Sequence, residues 1–188
     1  MALAGHVGDR AAARAALGDD DPSVRSTALG ALDRLGALAG GDLTTALVDP
    51  SPQVRRRACE LAATRPRVPV AASLDDSDPS VAEMAAWSLG ERHERSAVPA
   101  LSRMAAVGSG HPDALCREAA VAAIGAIGDQ RGLAAVLGAL DDKPAVRRRA
   151  AAALAAFDGP LVEPALRRCL DDRDWQVRQA AEDLLGTD

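Results

Sequence analysis

The stretch that decides the fold is Leu17-Gly18-Asp19-Asp20-Asp21-Pro22-Ser23-Val24-Arg25-Ser26-Thr27-Ala28-Leu29-Gly30-Ala31-Leu32. Counted from Val24, apolar or small residues fall at zero, four, seven and eight, which is one stripe of a 3.6-period helix. Pro22 sits where the first helical turn needs no N–H, and Asp21 before it is suited to cap that turn. The same grammar returns with Val54, Val81, Cys116, Val146 and Val177 in the place of Val24. The spacings between successive anchors are 30, 27, 35, 30 and 31 residues, too regular for chance. Upstream of each anchor lies a shorter apolar segment: 11–17, 43–47, 68–74, 98–104, 133–140 and 161–170. The unit is therefore a helix A, an Asp-rich turn, a helix B beginning near the anchor, and a Gly- or Pro-containing link.

Six such units predict six helical hairpins and about twelve helices, with repeats at about 5–37, 38–65, 66–94, 95–128, 129–158 and 159–188. The expected architecture is all-α, a right-handed α-α superhelix forming one domain over residues 1–188. No alternating Val/Ile/Thr run competes, and the longest irregular stretch, 107–114, predicts a protruding turn.

Composition agrees with helix-on-helix packing. Hydrophobic residues are 48% of the chain, chiefly alanine, and aromatics only 2%. Trp87, Trp175 and Phe157 are the whole aromatic inventory, too few for a stacking platform for single-stranded bases. A net charge of −5, with Lys143 the sole lysine, argues against a dedicated nucleic-acid binder. Cys59, Cys116 and Cys169 lie far apart with no zinc-ligand spacing, and a sparse odd count fits a reducing compartment. With no signal-peptide pattern and no long apolar run, a cytoplasmic protein is expected.

The pattern L-x-D-x-D-P-x-V-R-x-x-A-x-x-A-L-G, clearest over Leu17–Leu32, Leu74–Gly90 and Leu170–Gly186, resembles HEAT repeats. The short period is more similar to the HEAT-like subclass named after phycobilisome lyases than to units of about 40–47 residues. The resemblance implies an armadillo-like helical solenoid whose B helices line the concave surface. It implies no single activity. Such modules serve as scaffolds, in bilin lyases, in the deoxyhypusine hydroxylase, in alkylpurine glycosylases and beside tRNA-modification enzymes.

Two residue sets recur once per repeat. Five positions before the anchor stand Asp19, Asp49, Asp76, Asp141 and Asp172, with His111 in the fourth copy. One position after it stand Arg25, Arg55, Arg117, Arg147 and Arg178, with Ala82 in the third copy. Acids at turns and arginines at fixed register predict a structural ladder between neighbouring repeats. Positions two and six after the anchor face away from the core stripe. There Arg56, Glu83, Trp87, Glu118 and Arg148 form the candidate partner surface, with Trp87 the lone large aromatic. Trp87 admits two readings, an exposed hot spot or a ring laid flat on a neighbouring helix.

Chemistry is otherwise thin. His93-Glu94 is a single His-Glu pair in a loop, where the hydroxylase needs several at helix starts, and His6 and His111 lie apart from it. No nucleophile elbow, P-loop or HExxH motif occurs. The arginine triplets 55–57 and 147–149 point in different directions along a helix and do not make one patch. No cofactor, metal or catalytic residue is expected. Trp175 replaces the turn proline and is expected to cover the end of the stack, with Asp9, Arg10 and Arg14 in that role at the start. The expectation is a monomeric, non-enzymatic scaffold for a protein or peptide. The alternatives are a lyase-like, cofactor-handling accessory protein and, less favoured, a tRNA- or DNA-associated module.

Overall fold

A computed structural model of the chain describes residues 9–186. Among them there is no strand, and no helix is long and apolar enough to cross a membrane. Among the described residues the sequence-marked hairpins appear as eleven α-helices, with a 3-10 segment in place of helix A in the third copy. Packing divides the chain into two compact units, residues 1–88 and 89–188.

The first unit starts with α1 (Arg10–Ala15), tightened at its end into a 3-10 turn over Ala16–Gly18, and α2 (Pro22–Arg34). It continues with α3 (Gly40–Ala46) and α4 (Pro52–Ala62). Then come a 3-10 segment over Val70–Asp75 and most of α5 (Pro79–Glu91). The 3-10 segment stands where the other copies have an α-helical A. The 27-residue spacing between Val54 and Val81 leaves few residues for it, and Pro66 and Pro69 precede it. Six residues at the 3-10 rise of about 2.0 Å span about 12 Å, the length of about eight α-helical residues. The tighter helix covers the same distance with a shorter chain.

The second unit holds the end of α5, then α6 (Val98–Ala105), α7 (Ala114–Ile127), α8 (Leu133–Ala139), α9 (Pro144–Ala153), α10 (Val162–Cys169) and α11 (Trp175–Leu185). The turn at 106–113 is pinned where the Gly110 N–H donates to Ala106 O and the His111 N–H to Met104 O. Val107, Gly108 and Ser109 stand exposed at its tip.

Local chemistry starts the B helices as expected. Asp21, Asp78, Asp113 and Asp174 each accept a hydrogen bond from the backbone N–H two residues on, at 2.8–3.0 Å. The stripe positions form the core: Val54, Val81, Cys116, Val146 and Val177 are buried, as are Leu32, Leu89, Ile124 and Leu154.

In the second unit the B helices approach closely through small residues. A Cβ on Gly90 would lie 2.9 Å from Ala123 Cα, and one on Gly125 would lie 2.8 Å from Ala153 Cβ. Both glycines are nine positions after their anchor, and both alanines are seven after theirs. The same contact is thus made twice by the same register.

Candidate protein-interaction surface

The arginine-acid series comes together as inter-repeat rungs. In the first unit Arg25 donates through Nε and Nη2 to Asp49 at 2.9 and 2.7 Å, and Arg55 likewise to Asp76 at 2.7 and 2.8 Å. In the second, Arg117 forks onto Asp142 at 2.6 and 2.7 Å, and Arg147 onto Asp172 at 2.9 Å twice. The Nη1 of each arginine turns back to carbonyls of its own turn, as Arg25 does to Asp19 O and Asp20 O. The carboxylates are held in place by the chain as well: Asp49, Asp76 and Asp172 accept from the N–H two residues on. One guanidinium therefore ties the turn of its own repeat to the turn of the next.

The arginine hydrogen bond, ahead of backbone donors, holds Asp49, Asp76, Asp142 and Asp172 below the usual carboxylate range, against the opposing effect of burial.

One member of the predicted series is displaced. Asp141 is exposed and lies 3.5 Å from Arg168, while Asp142 takes the fork from Arg117. The acid is placed by the end of helix A and not by the start of helix B. It follows the C-cap by two residues in Leu47/Asp49, Leu140/Asp142 and Leu170/Asp172. The turn of the fifth copy is one residue shorter, so counting back from Val146 lands on the wrong aspartate.

The fourth copy shows which part of the role a histidine can keep. His111 Nδ1 accepts from the Asp113 N–H at 3.1 Å, and its carbonyl accepts from Arg117 Nη1 at 2.7 Å. A neutral imidazole offers no carboxylate to an arginine fork, and the third copy has Ala82 where the arginine would stand.

The two ends of the series differ. Asp19 accepts from the Asp21 N–H but receives no arginine among the described residues. Arg178 donates to Asp172 O through Nη1 at 2.7 Å, with no carboxylate for its fork among the described residues.

On the outward B-helix face, Arg56 on α4 and Glu83 and Trp87 on α5 are exposed, Trp87 by 43%. None of the three is held in an ion pair among the described residues. In the second unit Glu118 lies 3.5 Å from Arg149. Arg148 lies 3.6 Å from Asp174 and donates to Gln176 Oε1. The candidate residues of the second unit are thus already engaged with neighbours on their own face.

Trp175 is not the cover expected for the last repeat. It opens α11 and is 63% exposed. At the start, Asp9 caps α1 by accepting from the Ala12 N–H, and Arg14 pairs with Asp42. His6 lies outside the described residues. Among those described, no His, Cys, Asp and Glu cluster could hold a metal, and Cys59, Cys116 and Cys169 are buried and in no disulfide. Burial pushes the Cys59 thiol up to about 11, which keeps it protonated and unreactive at neutral pH.

Two features escaped the sequence reading. His93 has φ of +48° and ends α5, with its Nδ1 2.7 Å from Ala126 O near the end of α7. An open groove of about 490 Å³ runs between α10 and α11, walled by Phe157, Val162, Leu166, Leu170, Leu184 and Leu185.

The fold has close counterparts among solved structures. A designed armadillo repeat protein in complex with the peptide (KR)4 matches over 95% of this chain and 98% of its own, with TM-score 0.70 and 18% identity. An engineered protein matches over 95% and 97%, with TM-score 0.71 and 18% identity. The CpcE–CpcF complex of phycocyanin lyase from Nostoc sp. PCC7120 matches over 93% of this chain and 74% of that one, with TM-score 0.65 and 27% identity. No curated protein matches by sequence. The sequence profile of HEAT repeats matches residues 41–109, 68–145 and 109–186, and the chain belongs to that family.

Proposed function

We propose that the protein is a non-enzymatic interaction scaffold that binds a protein or peptide partner through the outward face of its B helices. The observation that carries this reading is Trp87. It is a large aromatic, 43% exposed, at a register where the other copies carry small or polar residues. Glu83 and Arg56 beside it in the repeat register are exposed and form no ion pair among the described residues, so the patch offers both charge signs around an apolar anchor. The likeness to a designed armadillo repeat protein that holds a peptide supports the use of such a fold for that purpose.

The test is affinity purification from the native host with wild-type and Trp87→Ala baits. The expected result is loss of the co-purifying partner with an unchanged thermal midpoint. An unchanged partner set, or a large fall in the midpoint, sinks the reading.

The 27% identity to the CpcE–CpcF complex favours one second reading, an accessory role in handling a bilin-type cofactor. Titration of the purified chain with phycocyanobilin tests it. A bound chromophore shows a shifted absorbance band, and an unperturbed spectrum excludes it.

A further inference from the structure

We infer that the partner held on the outward B-helix face is an acidic protein segment, one carboxylate of which is gripped between Arg34 on α2 and Arg57 on α4. The inference rests on that face being the binding surface, and it adds the chemistry of what binds there.

The geometry begins at Gly30. It stands at position six of the first copy, on the outward face, and has no side chain. Arg57, at position three of the second copy, lies across the space this leaves. Its Nη2 is 2.5 Å from the place a Cβ on Gly30 would take, and its Cζ is 3.4 Å from it. Arg34 follows Gly30 by four residues, one turn on along the same side of α2. Its Nη1 is 3.5 Å from that same place. Two guanidinium groups from neighbouring repeats therefore meet at one point.

Like charges repel when brought together, and the acids nearby cover only part of this pair. Glu60 takes Arg57 Nη1 at 2.8 Å, which leaves Nη2 over Gly30. Asp33, the acid next to Arg34 in the chain, is held by Arg65 at 2.5 Å. Arg34 is exposed and makes no ion pair among the described residues, and the same holds for Arg56 beside Arg57. The spot is thus positive on a chain whose formal net charge is −5.

A carboxylate fits it. Its two oxygens offer about four acceptor sites, enough to take N–H groups from both guanidiniums at once. A nucleic acid also carries anions. It would bring a continuous run of phosphates to a chain of net negative charge, with Trp87 the one aromatic on this face for a base to stack on. An acidic segment needs one anion site and a place for an apolar side chain. Arg34 with Arg57 supplies the first and Trp87 the second, all within the first unit.

The experiment is fluorescence anisotropy of the full chain with two labelled octapeptides, acidic (Glu-Leu)4 and neutral (Gln-Leu)4, with thermal midpoints checked. Wild type is expected to bind the acidic peptide about tenfold or more tighter than the neutral one. Arg34→Gln, at an exposed residue, is expected to abolish that preference with an unchanged midpoint. Glu60→Gln is expected to tighten the acidic peptide several-fold, because it removes the carboxylate that competes for Arg57. No acid preference in wild type, or a preference that survives Arg34→Gln, overturns the proposal. So does a Glu60→Gln chain that binds the acidic peptide more weakly. Unlabelled octauridylate that displaces the acidic peptide more effectively than the unlabelled peptide itself assigns the grip to nucleic acid and overturns it as well. Trp87→Ala separates this inference from the function it rests on. An acid preference kept in Trp87→Ala and lost in Arg34→Gln supports the grip whatever becomes of the hot spot. Weaker binding of both peptides in Trp87→Ala, with no acid preference in any variant, keeps the hot spot and overturns the grip.

Discussion

Arg117 uses four of its five N–H donors: two on Asp142, one on His111 O and one on Pro112 O. The residue is buried, and the Asp142 side chain is 4% exposed. A pair so placed is costly to break from one side, because the surviving charge has lost its partner and has little water to replace it. Asp142→Asn is therefore expected to lower stability by about 2 kcal/mol or more. Asp141→Asn, one residue away and exposed, is expected to stay within about 0.5 kcal/mol of wild type. Urea denaturation of the two variants measures this, and equal effects would reject the assignment of the rung to Asp142. The series of acids and arginines is visible in the sequence by register alone. The partner in the fifth copy is not, because it depends on where α8 ends.

At the scale of elements, the contact between α5 and α7 is set by what is missing from a side chain. A glycine inside a helix ordinarily costs about 1 kcal/mol relative to alanine. At Gly138, on α8, an added Cβ meets nothing within 4 Å, so Gly138→Ala is expected to raise the thermal midpoint. At Gly90 the added Cβ would meet Ala123 Cα, a backbone atom that moves only if the helix moves. Gly90→Ala is expected to lower the midpoint, with overpacking of about 1–3 kcal/mol exceeding the gain in propensity. Calorimetry of the pair checks the sign, and a rise at both positions would show that α5 and α7 can separate freely. Both glycines look alike in sequence. Only the neighbouring helix makes one of them indispensable. The helix A of the third copy gives the converse lesson: its place follows from the repeat, but its 3-10 winding follows from the distance it must span.

For the whole molecule, the rungs carry a pH dependence with a defined sign. Arginine holds Asp49, Asp76, Asp142 and Asp172 below their ordinary range in the folded chain. The stability this adds is complete above the unfolded carboxylate range of about 4 and is lost as pH falls through the folded-state values. The thermal midpoint is expected to be flat from neutral pH down to about 5 and to drop steeply below about 4. A chain carrying Asp49→Asn and Asp172→Asn, one rung removed from each unit, is expected to start lower and drop less. An identical acid slope in that variant would place the pH dependence elsewhere. Two rungs lie within each unit.

The sequence by itself determined the repeat, its register, the start of each B helix and the membership of the core stripe. These are local matters. An Asp cap, a proline at the first turn and apolar residues at 3.6-residue spacing act within one helix and its turn. Tertiary structure alone decided four things. It chose Asp142 over Asp141, left Trp87 and Trp175 exposed, made Gly90 and Gly125 points of close approach, and left Leu184 exposed. Each depends on a surface brought from another repeat, about 25 to 30 residues distant in most cases. A single repeat's residues can state what they offer to a neighbour. Only packing states whether the neighbour is there.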